Sequence, residues 1–283
     1  MRLGCCTSST ANATFLSLSS LDYIEENVQS FLVPGQGDDI FSAKLEQAQA
    51  CGKPLWAACC FLPGDLSCVG PAVERQRILD WANIAFHRAA QSGISRIVFG
   101  SGGSRRIPAG FSTEKATAQF TALLTDLAPL ARMNRLQVVV EPLNPGECNF
   151  ITSVRTGAEI VRAVNCPEIR LLADLYHMAR AGETPSDLAA VVDLLAHVHV
   201  AECAERTAPG VMGDDFRPWF AVLQAAGYAQ GISLECGRFE VGSELELGLE
   251  TVRLHWQEAA GLPGLLAQGA AQGAAQGAAH SVV

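Results

Sequence analysis

Eight short apolar runs alternate along the chain with longer amphipathic stretches, and that alternation limits the fold more than any other feature. The runs are Arg2 to Cys6, Tyr23 to Val28, Leu55 to Phe61, Arg96 to Phe99, Gln137 to Glu141, Ile169 to Asp174, His197 to Ala201 and Gly231 to Glu235. Strand-like runs separated by helix-length segments mark parallel βα units. Eight units in 283 residues fit a (β/α)8 TIM barrel, typically about 250 residues long. With 49% hydrophobic and 17% charged residues, the chain can fill one large core. A single domain is expected over residues 1–262. Beyond it, 263–283 carries repeated Ala-Gln-Gly-Ala with no apolar stripe. That tail reads as disordered, and His280 within it as incidental.

Two helices are clearly bounded. One is expected over Pro71 to Ser92, with proline in a permitted first turn and Gly93 just past the end. The other starts at Ser112 or Thr113 as cap, with Glu114 in its first turn, and continues to about Asn134. A short helix near Ala13 to Ser19 and a closing helix over Leu245 to Glu258 complete the reading.

Four of the runs end in side chains that can hold a metal: Glu141, Asp174, His199 and Glu235, at intervals of 33, 25 and 36 residues. A single carboxylate at a strand end is more often a cap or an ion-pair partner. Four in a row, one per unit, would converge at the C-terminal face where barrel chemistry gathers. Three carboxylates and one imidazole form a hard, oxygen-rich set that suits Mn2+, with Mg2+ or Co2+ also compatible; structural zinc sites favour cysteine. His197 and His199 share one side of their strand. His199 lies nearer the strand end and is the expected ligand, with His197 a hydrogen-bonded interior residue below it.

These segments resemble a known family, the xylose-isomerase-like TIM barrels, which include sugar phosphate isomerases and epimerases and the ketose 3-epimerases. The resemblance runs from about Arg2 to Glu258 and is carried by Glu141-Pro-Leu-Asn144, Asp174-Leu-Tyr-His177-Met178, His197-Val-His199-Val-Ala-Glu202 and Glu235. It implies one divalent metal ion held by Glu141, Asp174, His199 and Glu235, with Glu141 and Glu235 as the acid-base pair. It also implies substrate contacts from Glu147, His177 and Arg206, although Glu205 stands where the family pattern puts an arginine. The expected reaction is isomerisation or epimerisation of a small sugar or sugar phosphate by proton transfer through an enediolate. A metal-dependent lyase or dehydratase acting on a polyol or keto-sugar is the alternative, and a barrel that binds without turnover is a third reading.

Weaker signals surround this set. Phe99-Gly-Ser101-Gly102-Gly-Ser104-Arg105-Arg106 follows the fourth run. Ser101, Gly102 and Arg105 offer a phosphate or pocket loop, and a plain glycine-rich turn accounts for them equally well. Phe61-Leu-Pro63-Gly64 could wall the pocket. Glu26 could reach the pocket rim or sit in solvent, and Trp56 is a candidate wall. His87 and His255 fall within helical stretches as surface or packing residues.

Asp and Glu outnumber Lys and Arg by 29 to 20, and no basic stretch is interleaved with aromatics, so nucleic acid is not an expected partner. Endonuclease members of the superfamily hold several zinc ions on many histidines, whereas this chain has six in all. No apolar run reaches membrane-spanning length. The ten cysteines are dispersed, with no Cys-x-x-Cys. They read as small buried thiols of a cytoplasmic protein. Association of like chains through the barrel helices is compatible with the sequence, but no stripe singles out an interface.

Overall fold

The computed structural model describes residues 1–237 and 242–261. The expected disordered tail and His280 lie outside the described residues. The order is β1 (Arg2–Cys6), α1 (Ala13–Leu18), β2 (Tyr23–Asn27), α2 (Asp38–Gln49), β3 (Leu55–Cys59), α3 (Arg75–Gln91), β4 (Arg96–Phe99), α4 (Thr113–Met133) and β5 (Gln137–Val140). There follow α5 (Val154–Val164), β6 (Ile169–Asp174), α6 (Leu175–Arg180), α7 (Pro185–Ala189), β7 (Leu195–Val200), α8 (Arg217–Ala225), β8 (Gly231–Leu234) and α9 (Ser243–Ala259). Each strand pairs in parallel with the next, and β8 returns to β1 with Gly231 beside Arg2, closing an eight-stranded barrel. This is the TIM barrel expected from the alternation. No described helix is long and apolar enough to cross a membrane.

The strands alternate as parallel barrel strands must. Leu3, Ile97, Val138, Leu171, Val198 and Ile232 face the helices and belong to the large outer core. On the inner face, Cys59, Val98, Val139, Leu172 and Ala196 form a separate apolar cluster against Cys6. The rest of the interior is polar or aromatic. Trp56 and Tyr23 pack at 4.9 Å, and Arg2 and Arg96 lie over the Trp56 ring at 4.4 and 4.7 Å. Both arginines begin their strands, so Trp56 plugs the N-terminal end of the barrel and is not a pocket wall.

Gly4 makes room for this plug, because a Cβ there would overlap the Tyr23 ring. Gly4→Ala is therefore expected to destabilise the protein by about 1–3 kcal/mol through overpacking. Urea unfolding would measure it, and an unchanged midpoint would remove the constraint assigned to Gly4.

Helix α3 begins at Arg75, not at Pro71. The expected first turn stays open because Gly70 is tied to α4: its amide donates to Gln119 Oε1 and its carbonyl accepts from Gln119 Nε2, at 2.8 and 2.9 Å. Helix α4 starts as anticipated, with Ser112 Oγ accepting from the Lys115 amide.

Candidate active site

The strand ends bring the four expected ligands to one place. Glu141 follows β5, Asp174 ends β6, His199 lies one residue from the end of β7, and Glu235 follows β8. One ligand atom from each of Glu141, Asp174, His177 and Glu235 lies within 4.8 Å of the others. His199 Nδ1 stands 3.2 Å from Glu141 Oε1 and 3.3 Å from Glu235 Oε2. Gly100, at the end of β4, leaves the space that the Glu141 carboxylate occupies; a Cβ there would overlap it. Asp174 also caps α6, its Oδ1 accepting from the Tyr176 amide at 2.8 Å. Its Oδ2 is left facing the site, 3.4 Å from Arg206 Nη2.

Two histidines adjoin the carboxylates, and their surroundings differ. His177 Nδ1 faces two donors, the Asn144 amide at 3.2 Å and Asn144 Nδ2 at 2.8 Å. Its proton is thereby placed on Nε2, which points toward Asp174 Oδ2 at 3.5 Å. Burial, helped by the Arg206 charge, pushes the His177 pKa down to about 3, so this ring is neutral. His199 has carboxylates on both sides, with Nε2 donating to Glu25 Oε1 at 3.0 Å. Burial works against its charge, but Glu25 and Glu235 overcome this and hold its pKa well above the usual histidine range.

Glu25, on β2, joins the site although the sequence singles out only its neighbour Glu26. Fully buried, Glu25 joins the strand-seven histidines from below. Its Oε2 accepts from His197 at 2.7 Å and from Ser233 Oγ at 2.6 Å, and Ser233 Oγ lies 2.9 Å from the Tyr23 hydroxyl. His197 Nδ1 meets the Gly231 carbonyl at 3.1 Å. Burial pushes the His197 pKa down although both its nitrogens face oxygen. The acid and the two imidazoles therefore share their protons as one unit. Glu26 points out of the barrel and is buried, neither rimming the pocket nor in solvent, and accepts from the Ser9 amide at 2.7 Å.

The three site carboxylates crowd one another. Burial, then the charge on Glu235, raises the Glu141 pKa. Burial and the charges of Glu235 and Glu141 push Asp174 up to about 8. Burial would raise Glu235 too, but the His199 and Arg206 cations outweigh it and hold that carboxyl well below the usual range. Arg206 donates from Nη2 to Glu235 Oε2, and its guanidinium lies over the Tyr176 ring at 4.7 Å.

Glu205 and Arg206 both have φ in the left-handed region, 58° and 52°. This backbone turns Arg206 into the site and leaves Glu205 exposed. Beneath the loop, buried Glu202 accepts from the amides of Gly210, Met212, Gly213 and Asp214 and from Thr207 Oγ1. Glu202→Ala is expected to leave those amides without a partner. Hydrogen exchange should then speed up at residues 210–214 before the rest of the barrel is affected, and uniform exchange across the protein would contradict this local role.

A cavity of about 240 Å3 opens above the carboxylates. It is lined by Glu141, Glu147, His177, Arg206 and Glu235 together with Leu62, Gly64, Ser101 and Gly102. Ser101 Oγ accepts from the Leu62 amide at 2.9 Å, joining the two loops expected at the pocket. Arg105 does not reach the cavity. It is fully buried, with Nη1 donating to the Phe99 carbonyl at 3.1 Å, and the Ser104 and Arg105 amides are spent on the Ser101 carbonyl. The expected guanidinium for a phosphate is thus turned into the fold. Roomier hollows of about 390 and 470 Å3 lie near Arg96 and Arg170, around the N-terminal strand ends and away from the carboxylates.

An eight-stranded parallel barrel with acids and a histidine gathered at its C-terminal strand ends is a TIM barrel with its polar groups where such barrels carry their sites. Residues 21–258 match the family described as "Xylose isomerase-like TIM barrel", and the chain belongs to that family. Among curated proteins it is 34% identical over 107 residues to a Synechocystis sp. protein named "Probable ketose 3-epimerase", covering 37% of each chain. It is 26% identical over 135 residues to the hydroxypyruvate isomerase of Escherichia coli, covering 46% of this chain and 52% of that one. The chain thus spans about half or less of the length of these curated relatives. The crystal structure of D-allulose 3-epimerase from Methylomonas sp. in complex with D-allulose superposes with a TM-score of 0.75 at 19% identity, covering 90% of this chain and 97% of that one. At that identity the likeness speaks for the fold.

Proposed function

We propose that the protein is a divalent-metal-dependent isomerase or epimerase of a small hydroxy-ketone or aldose. The observation that carries this reading is the meeting of Glu141, Asp174 and Glu235 with His199 Nδ1 under a cavity whose wall also presents His177, Glu147 and Arg206. Three crowded carboxylates, two with raised pKa values, are what a divalent cation would relieve. The set is hard enough for Mn2+, Mg2+ or Co2+, with Mn2+ favoured.

His199, not His177, is the imidazole ligand in this reading. A metal at Nδ1 would leave Nε2–H donating to Glu25, the carboxylate–histidine–metal arrangement seen at many metal sites. A metal at His177 Nε2 would require a proton on Nδ1, which already faces two donors from Asn144. When bound, the ion polarises the substrate carbonyl and offsets the negative charge that develops on its oxygen.

The chain's own groups do the remaining work. Glu235, kept ionised by the Arg206 guanidinium beside it, is the base that takes a proton from the carbon beside the carbonyl. Glu141 is the acid that returns one. His177 offers its Nε2 proton to a substrate oxygen. Glu147, bonded to Asn144 Nδ2 at 3.1 Å, and Arg206 take hydroxyl groups at the cavity mouth. With no guanidinium from Arg105 in the cavity, an unphosphorylated substrate is favoured over a sugar phosphate. D-allulose in the Methylomonas enzyme and the names of the curated relatives point to the same class, compounds with a hydroxyl next to a carbonyl.

The test is to incubate the Mn2+-loaded protein with ketoses, aldoses, their phosphates and hydroxypyruvate in D2O and follow deuterium by NMR. Deuterium at one carbon together with a new isomer or epimer is the expected result. Loss of water would favour a dehydratase, and no exchange with any member of the panel would sink the reading.

A further inference from the structure

The barrel interior holds two thiols that the sugar chemistry does not use. Branched aliphatic side chains usually fill the inner layers of such barrels, and Val98, Val139 and Leu172 do so here. The same cluster contains Cys59 on β3, with Cys6 on β1 packed against it. Both thiols are free. Sγ of Cys6, Sγ of Cys59 and a carboxylate oxygen of Glu235 lie within 4.8 Å of one another. Sγ of Cys6 also lies within 4.8 Å of ligand atoms of Glu25 and His199.

We propose that Cys6, Cys59 and Glu235 form a binding site for a thiophilic divalent cation such as Zn2+ or Cd2+, overlapping the oxygen-rich set at Glu235. Thiolate sulfur stands about 2.3 Å from zinc, so two sulfurs on one ion are at most about 4.6 Å apart. The two thiols stand within 4.8 Å of each other, close to that limit. Soft ions choose thiolates, and hard ions choose carboxylates. Because Glu235 belongs to both sets, one ion excludes the other, and the barrel sorts metals by softness at a shared carboxylate. Free thiols carry their protons near neutral pH, and the thiolate is the metal ligand. Binding then converts two thiols and one carboxylate into two thiolates and one carboxylate on the ion and releases two protons to solvent. No oxidant or reductant takes part. The site stands whether or not the protein turns over a sugar.

The experiment titrates the full-length protein, kept reduced by a non-thiol reductant, with Cd2+ alone. Thiolate-to-cadmium absorbance in the near ultraviolet and proton release into a weak buffer are the readouts. The expected result is a band that saturates at one equivalent, with two protons released per ion. Cys6→Ser and Cys59→Ser should each weaken the band, and the double variant should lose its saturable part, although eight of the ten cysteines remain. Prior loading with Mn2+ should shift the titration to higher Cd2+. An equal band in the double variant would assign the ion to other thiols and overturn the proposal. Should the serine variants not fold, X-ray absorption at the cadmium edge of the wild-type protein decides. Two sulfur neighbours are expected, and a shell of oxygen and nitrogen alone would overturn the site.

Discussion

Replacing Glu235 with glutamine is expected to lower deuterium exchange into substrate by about 10²–10⁴-fold, the range that a positioned acid or base contributes. The fold should remain, because Glu235 follows β8 and its backbone amide bond to the Val200 carbonyl does not involve the side chain. Glutamine keeps the volume and can still accept from Arg206, but it cannot take a proton from carbon. Its carbonyl oxygen is also a weaker metal ligand than a carboxylate. Chelator competition therefore has to accompany the kinetics: exchange lost under metal saturation belongs to proton transfer, whereas exchange restored by excess metal belongs to binding. Exchange at the wild-type rate would remove Glu235 from the acid-base pair and leave Glu141 to act with another group.

The second large effect is expected at Glu25, which touches no part of the cavity. Glu25→Gln removes a charge buried between His197 and His199. Breaking a buried pair by removing one partner costs about 3–5 kcal/mol, and urea unfolding would measure it. Because Glu25 fixes which His199 nitrogen keeps its proton, metal affinity is also expected to fall about 10–100-fold.

The pH dependence gives an independent signature. Burial would raise the Glu25 pKa, but the two imidazoles overcome it and hold it well below the ordinary glutamate value of 4.5. The unfolded chain therefore binds the proton first as pH falls. The stabilisation from Glu25 is complete above about pH 4.5 and is lost as pH falls below that toward the folded-state value. The wild-type protein should lose stability across that acid window, and the variant should lose less. Parallel curves for the two proteins would contradict the assignment.

Much of this arrangement is written locally. The eightfold alternation marks βα units because strand and helix periodicities are properties of short segments, and ligands at strand ends converge in any closed parallel barrel. Helix α4 was likewise legible from Ser112 and Glu114. Other features depend on which way a side chain turns once the barrel closes. Arg105 looked like a free guanidinium beside a glycine-rich loop, yet it folds back on the Phe99 carbonyl. Pro71 looked like a first turn, yet Gly70 is held by Gln119, far along the chain.

What the sequence by itself determined is the barrel and the positions of Glu141, Asp174, His199 and Glu235 on it. The tertiary structure alone decided how they are supported. The β2–β3 register shifts between Ile24 and Glu25, and Glu25, rather than Glu26, enters the barrel. Two consecutive left-handed residues bring Arg206 over Tyr176 and send Glu205 to solvent. Asn144 fixes the tautomer of His177, and Glu25 holds His199 Nε2. Register, backbone handedness and proton placement all arise from contacts between segments distant in sequence, so no local pattern of residue types encodes them.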